Sequence, residues 1–326
     1  MKILLNDGMD DEGIQVFKEA GVEYDARKRD IEELIRDIGN FNGLVVRSAT
    51  NVTREVIEAG ARGNLIIIGR AGVGYDNVDI DAASENGIIV KYAPHGNTNA
   101  TAEHALGLML AVSRNIPQSH YSLVNGIWRK KIFGGNELSR KTLGIIGCGR
   151  VGQRLSQLVI GFDMDLIGYD PIQKPDTRIK YMDSIDDVLK NADYVSIHAN
   201  GKNRIIGERE LCFMKPSAYL INTSRGGNVD ELALYNALLN GKIAGAALDV
   251  YSDEPKEGQK FLSKLREFSN VVMTSHLGAS TDEAQRKTSK EMAEAIVAYL
   301  HGDFVNAVNV GEKVQEEKRP IYPKLT

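Results

Sequence analysis

Cysteine is scarce in this 326-residue chain: only Cys148 and Cys212, with no CxxC spacing. A disulfide framework and a thiolate zinc site are therefore not indicated. The six histidines show no metal-ligand spacing, and no serine or cysteine motif for covalent catalysis is present. A strong excess of either charge is also missing. Forty Lys and Arg face 44 Asp and Glu, a net charge of −4, with a pI near 5.9. That balance argues against a nucleic-acid or anionic-membrane partner. No apolar run reaches the ~18 residues a membrane span needs. The opening MKILLNDGMD reads as a short strand followed by acids rather than a secretory signal. Internal repeats and low-complexity segments are absent as well. The expectation is a globular cytoplasmic protein, long enough for two domains.

Glycine is abundant, 32 residues, and its placement is informative. In Lys141–Asp170 an apolar strand, Leu143–Ile146, runs into Gly147-Cys148-Gly149-Arg150-Val151-Gly152 and then a helical pattern. Val151, Leu155, Leu158, Val159 and Phe162 recur on one helix face. A second strand, Leu166–Tyr169, ends on Asp170. The three glycines suit a tight turn (Gly147), close approach of a pyrophosphate (Gly149) and helix–strand packing (Gly152). The helix start offers free N–H groups and a positive dipole end to the phosphates. Asp170 is placed to accept hydrogen bonds from an adenine ribose and to repel a 2′-phosphate, so NAD is expected over NADP. Lys174 and Arg178 follow a little further on as possible counter-charges.

The first 95 residues alternate short strands (Ile3–Leu5, Leu44–Val46, Leu65–Ile68, Ile88–Val90) with helical patterns at Ile31–Ile38 and Thr53–Ala59, the latter with Thr53 as its N-cap. This predicts a small α/β domain with a parallel sheet and no phosphate loop of its own. One long helix is expected over 99–119, then a polar stretch over 125–140. The dinucleotide domain continues through strands at Tyr194–Ile197, Ala218–Asn222, Ala244–Leu248 and Val271–Thr274. A final helix over 281–301 is expected to cross back onto the first domain. The predicted fold is α/β: two Rossmann-like or flavodoxin-like domains with parallel sheets and a cleft between them. The predicted boundaries are 1–95 plus 284–310 for the substrate domain, 96–283 for the NAD domain, and 311–326 as a loosely held tail.

Ligands of open α/β sheets bind beyond the carboxyl ends of the strands, and three strand ends carry acid/base or anion-gripping groups. Arg225, in YLINTSRGG, suits a bidentate grip on a carboxylate, with Gly226 and Gly227 leaving room for a ligand. His276, in VVMTSHLGAS, suits proton transfer from a hydroxyl. Glu254, in ALDVYSDEP, can hold that imidazole and raise its pKa. Asp249, on the same strand end, is a candidate for touching the nicotinamide. Each has a bland alternative: a structural Arg, a structural His, a solvated turn acid.

In order along the chain stand VVRSAT (Val45–Thr50), GRAGVGYDNVD (Gly69–Asp79), GNT with Ala102-Glu103, WRKK (Trp128–Lys131) and the Gly147–Gly152 loop. INTSRGG (Ile221–Gly227), GAALDVYSDEP (Gly245–Pro255), SHLGAST (Ser275–Thr281) and VNAVNV (Val305–Val310) follow. Through these motifs residues 1 to about 310 resemble the D-2-hydroxyacid dehydrogenase family. The resemblance implies a catalytic trio of Arg225, Glu254 and His276. It implies cofactor contacts at the Gly147–Gly152 loop with Arg150 and Val151, at Asp170, Ala199, Thr223, Ser224, Asp249, Gly278 and Ala279, and at Val73 across the cleft. Candidate substrate contacts are Arg47, Ser48, Gly72, Val73, Arg129 and Lys130, with Arg47 and the cluster Arg129-Lys130-Lys131 as the candidate grip on a substrate phosphate. No metal is expected.

Within that family the implied reaction is oxidation of 3-phospho-D-glycerate to 3-phosphohydroxypyruvate, the entry to serine synthesis, by a homodimer or tetramer. The rival readings are a glyoxylate or hydroxypyruvate reductase and, from another class, an NAD-sensing binding protein without turnover. Two departures from the family pattern stand out. After His198 the family has a proline and a threonine-rich loop, whereas this chain reads ANGKNRIIG and is shorter, which bears on the adenine-side contact at Ala199. The sequence also stops soon after VNAVNV, so serine feedback through an added domain is not expected.

Overall fold

A computed structural model describes residues 1–173, 178–201 and 203–310. The expected tail over 311–326 and Lys174 lie outside the described residues. The chain divides into two compact units, Met1–Asn97 together with the residues from Thr281 on, and Thr98–Ser280.

In the first unit the order is β1 (Lys2–Leu5), α1 (Asp11–Glu19), β2 (Glu23–Asp25), α2 (Ile31–Asp37), β3 (Gly43–Val46), α3 (Arg54–Ala61), β4 (Ile67–Arg70), α4 (Ile80–Glu85) and β5 (Ile89–Tyr92). The strands form one all-parallel sheet in the order β2-β1-β3-β4-β5. β1, β3 and the inner part of β4 are buried runs of Ile, Leu and Val, as a sheet covered on both faces requires. Leu65 lies before β4 rather than in it, and packs where a side chain on Gly60 would stand: a Cβ there would come 2.4 Å from Leu65. β5 runs on through Lys91, whose buried ammonium donates to the carbonyls of Ala295 and Asp303. Thr53 does hold the N-cap position of α3, but its side chain makes no capping bond.

The second unit begins with α5 (Thr98–Arg114) and α6 (Ile116–Val124), two helices where one was expected. Asn115 between them is left-handed (φ 51°), and Pro117 has no N–H to continue the ladder. The Ser113 carbonyl, which residue 117 would have used, accepts instead from the Asn136 N–H at 2.9 Å. Then come β6 (Thr142–Ile146), α7 (Arg150–Leu158), β7 (Asp165–Tyr169), β8 (Lys180–Tyr181), α8 (Ile185–Asn191), β9 (Tyr194–Ile197), α9 (Glu208–Leu211), β10 (Tyr219–Asn222), α10 (Glu231–Leu239), β11 (Gly245–Leu248) and β12 (Val271–Met273). Their sheet is all parallel in the order β12-β11-β10-β9-β6-β7-β8. The order reverses between β6 and β9, which makes that the switch point. Last, α11 (Asp282–Leu300), capped by Thr281, packs in the first unit against α1, β4 and β5.

Candidate active site

The glycine loop sits at the switch point of the second sheet, between the ends of β6 and β9. Gly147 is left-handed (φ 90°), and a Cβ on it would lie 2.5 Å from the Ala199 amide nitrogen. Gly152 rests on the start of its own loop, since a Cβ there would lie 2.4 Å from the Gly147 carbonyl oxygen. Among the described residues a Cβ at Gly149 would meet nothing within 4 Å, and no side chain caps α7 behind it. An open space faced by an uncapped helix start is what a pyrophosphate needs. Asp170 follows β7 directly and is half-buried, and one carboxylate oxygen accepts from the Ile172 N–H at 2.9 Å. The buried Thr223 Oγ1 and His198 Nδ1, at the ends of β10 and β9, have no hydrogen-bond partner among the described residues. These groups fit a bound dinucleotide. Cys148 is packing rather than chemistry: it is buried against Gly168, and burial pushes its thiol up to about 12. His198 is likewise no acid/base, because burial pushes its imidazole down to about 4.

Arg225, Glu254 and His276 come together beyond the ends of β10, β11 and β12. His276 Nδ1 lies 2.7 Å from a Glu254 carboxylate oxygen. That hydrogen bond holds the imidazole above its ordinary pKa, opposed by burial and by the nearby positive charge of Arg225. Burial pushes Glu254 up, but its bond and charge interaction with His276 and the Tyr251 N–H prevail, and its carboxyl stays below the usual range. Gly226 explains the meeting of the loops, though not as expected. Its free space is filled by backbone rather than left for a ligand, since a Cβ would lie 1.9 Å from the Tyr251 carbonyl. The Arg225 turn is pinned by Asn222 and Asn228, which sequence reasoning missed: Asn222 accepts from Ser224 and donates to the Arg225 carbonyl, and Asn228 donates to Ser224 Oγ.

Asp249 is 1% exposed. Both its carboxylate oxygens are taken up by protein donors from Thr274, Leu277 and Gly278, with His104 alongside. Ala279 lies half-buried just beyond Gly278. Among the other expected residues, Arg47 and Ser48 follow β3 at the switch point of the first sheet. There the Arg47 N–H donates to Asp7, and its guanidinium donates to Ser289 Oγ at 2.9 Å. Gly72 makes room for the Arg70 guanidinium, which a Cβ would strike at 1.6 Å, and Val73 beside it is half-buried. Arg129 and Lys130 are exposed in the second unit. Among the described residues no group of three His, Cys, Asp or Glu is arranged to hold a metal, and no helix is long and apolar enough to cross a membrane.

Residues 106–278 match the family described as D-isomer specific 2-hydroxyacid dehydrogenase, NAD binding domain. The chain belongs to the D-isomer specific 2-hydroxyacid dehydrogenase family. It is 42% identical to the D-3-phosphoglycerate dehydrogenase of Methanocaldococcus jannaschii, over 100% of this chain and 62% of that protein. It is 41% identical to the hydroxypyruvate reductase of Thermotoga maritima, over 92% of this chain and 98% of the relative. The solved D-lactate dehydrogenase of Aquifex aeolicus, complexed with NAD and lactic acid, superposes with a TM-score of 0.81 at 26% identity, covering 95% of this chain and 100% of that one. The chain thus spans less than two thirds of the archaeal relative's length, and the residues that match the NAD-binding-domain family lie within the second unit.

Proposed function

We propose that the chain catalyses the NAD-dependent interconversion of 3-phospho-D-glycerate and 3-phosphohydroxypyruvate in the cytoplasm, as a homodimer. The observation that carries the chemistry is the His276–Glu254 pair at 2.7 Å with Arg225 beside it, at the strand ends of an NAD-binding domain. Similarity to D-3-phosphoglycerate dehydrogenases over the full chain supports the substrate. NAD, when bound, supplies the nicotinamide that accepts hydride from the carbinol carbon. The Arg225 guanidinium holds the substrate carboxylate. His276 Nε2 takes the hydroxyl proton, while Glu254 on Nδ1 fixes the ring and favours the imidazolium that results. In the reverse direction the same imidazolium returns the proton to the forming alkoxide.

Hydroxypyruvate reduction is the second reading, favoured by the Thermotoga relative, which this chain matches over nearly its whole length. The substrate phosphate separates the two. One or two charge-assisted hydrogen bonds to it are worth about 1.5–3 kcal/mol each, so kcat/KM for 3-phosphohydroxypyruvate is expected to exceed that for hydroxypyruvate by roughly 100-fold. A ratio near or below one assigns the reductase activity instead, and no turnover of either compound removes the dehydrogenase reading.

Cofactor choice rests on Asp170. Asp170→Ala removes both a ribose acceptor and a charge opposed to a 2′-phosphate, so the NAD/NADP ratio of kcat/KM is expected to fall by about 10- to 100-fold. An unchanged ratio places Asp170 outside the adenosine pocket.

A further inference from the structure

The turn that carries His276 is held from beneath by a second histidine. His276 is left-handed (φ 58°), a conformation costly for a residue with a Cβ, so something must enforce it. Three successive N–H groups are fixed by one residue: His276 donates to the Asp249 carbonyl, Leu277 to Asp249 Oδ1 and Gly278 to Asp249 Oδ2, each at 2.8 Å. Thr274 Oγ1 donates to the same Oδ1 at 2.6 Å. His104 Nε2 stands 3.1 Å from Oδ1 and 3.0 Å from Thr274 Oγ1. Since the Thr274 proton is committed to Asp249, the network assigns the His104 proton to Nε2, shared between the two oxygens. One turn earlier on the same face of α5, Thr101 Oγ1 donates to the Gly278 carbonyl at 3.2 Å.

We propose that His104 is a positioning residue for the reaction: it anchors Asp249 to α5, and through Asp249 the turn that aims His276, while Thr101 ties the same turn to α5 directly at the Gly278 carbonyl. The proposal rests on the reading that His276 moves the substrate proton. Burial pushes the Asp249 carboxyl up, but hydrogen bonds from His104, Thr274 and Leu277 outweigh it and keep the group below the usual carboxylate range. Without His104 a buried carboxylate loses a donor, and its affinity for a proton rises. Once protonated it can no longer accept from all of Thr274, Leu277 and Gly278, and the turn loosens. The charged or titratable groups that bear on His276 are Glu254, Asp249 and Arg225; those beside Asp249 are His104, Tyr251 and Glu254. Loss of the Asp249 charge therefore also lowers the His276 pKa.

The test compares His104→Leu with His104→Gln, whose side-chain amide can donate from nearly the place of Nε2. Both are read in the NADH-linked reduction of the preferred 2-oxo acid, with thermal melting as the folding control. His104→Leu is expected to lose roughly 100-fold in kcat, the scale for misplacing a reacting group by about 1 Å. It should also add to the pH profile of kcat an ionisation that the parent lacks. His104→Gln is expected to recover most of the loss with a single-ionisation profile. If His104→Leu does not fold, Thr274→Val, which deletes the shared hydroxyl, is read in the same way and should show the same added ionisation. A parental kcat and profile in the leucine variant, or an equally slow glutamine variant, overturns the positioning role. A parent inactive on every 2-oxo acid overturns the proton-transfer reading instead.

Discussion

Replacing His276 with alanine is expected to lower kcat by roughly 10²- to 10⁴-fold, the range for removing a positioned general acid/base. NADH affinity should change by no more than a few-fold, because in the proposed mechanism the imidazole faces the substrate. The pH dependence carries the same information with a definite sign. Glu254 raises the His276 pKa, so the neutral base needed for oxidation accumulates only as pH climbs through that raised value. Oxidation should therefore rise with pH, and the reverse reduction, which needs the imidazolium, should fall over the same interval. Glu254→Gln removes the raising influence and should move both limbs to lower pH. Steady-state kinetics of the two variants in both directions check this. A His276→Ala enzyme within a few-fold of the parent would make the residue structural, and an unmoved limb in Glu254→Gln would detach the carboxylate from the titration.

What was legible in the sequence was what neighbours in the chain decide. Gly147, Gly149 and Gly152 announce a phosphate loop because each spacing answers to a local need of a strand–turn–helix unit. The buried strands announce themselves as apolar runs. Two edge strands did not: Glu23-Tyr24-Asp25 and Lys180-Tyr181 form β2 and β8 with the polar composition that exposed edges often carry, whereas the apolar edges β5 and β12 were readable. The break between α5 and α6 was signalled by Pro117, yet apolar periodicity on both sides masked it. Least legible were partners distant in sequence. His104 and Asp249 meet across a separation of 145 residues, and nothing near either one points to the other. The same holds for Gly226, whose missing side chain makes sense only once the Tyr251 backbone is seen against it. Residue type and strand-end position marked His276 and Glu254 only as candidates, which the family resemblance joined into a pair, whereas the contacts that hold them in place were not readable.

A double substitution of Trp128 and Tyr121 by alanine is expected to turn a dimer into a monomer at micromolar concentration. Exposed apolar side chains scattered singly need no explanation, but here they crowd one segment. Trp128 is 80% exposed, Tyr121 71%, Val124 69%, Ile132 62%, Ile116 53% and Leu123 51%, all within α6 and the loop after it. Arg129, Lys130 and Lys131 stand exposed among them. Trp, Tyr and Arg are the side chains most enriched at the energetic centres of interfaces, and burying a large apolar side chain stabilises by about 1.5–3 kcal/mol. A two-fold interface uses each residue twice, so a single truncation acts on both protomers. Each interface anchor lost costs about 2 kcal/mol or more, and every 1.4 kcal/mol is about tenfold in affinity. With both residues lost from both protomers, the double variant should weaken association by up to roughly 10⁶-fold, less where the anchors are coupled. Sedimentation velocity over a concentration series reads this directly, with circular dichroism confirming that both proteins are folded. A parent that sediments as a monomer at assay concentrations, or a double variant that stays as tightly associated as the parent, would mean that another surface, or none, holds two copies together.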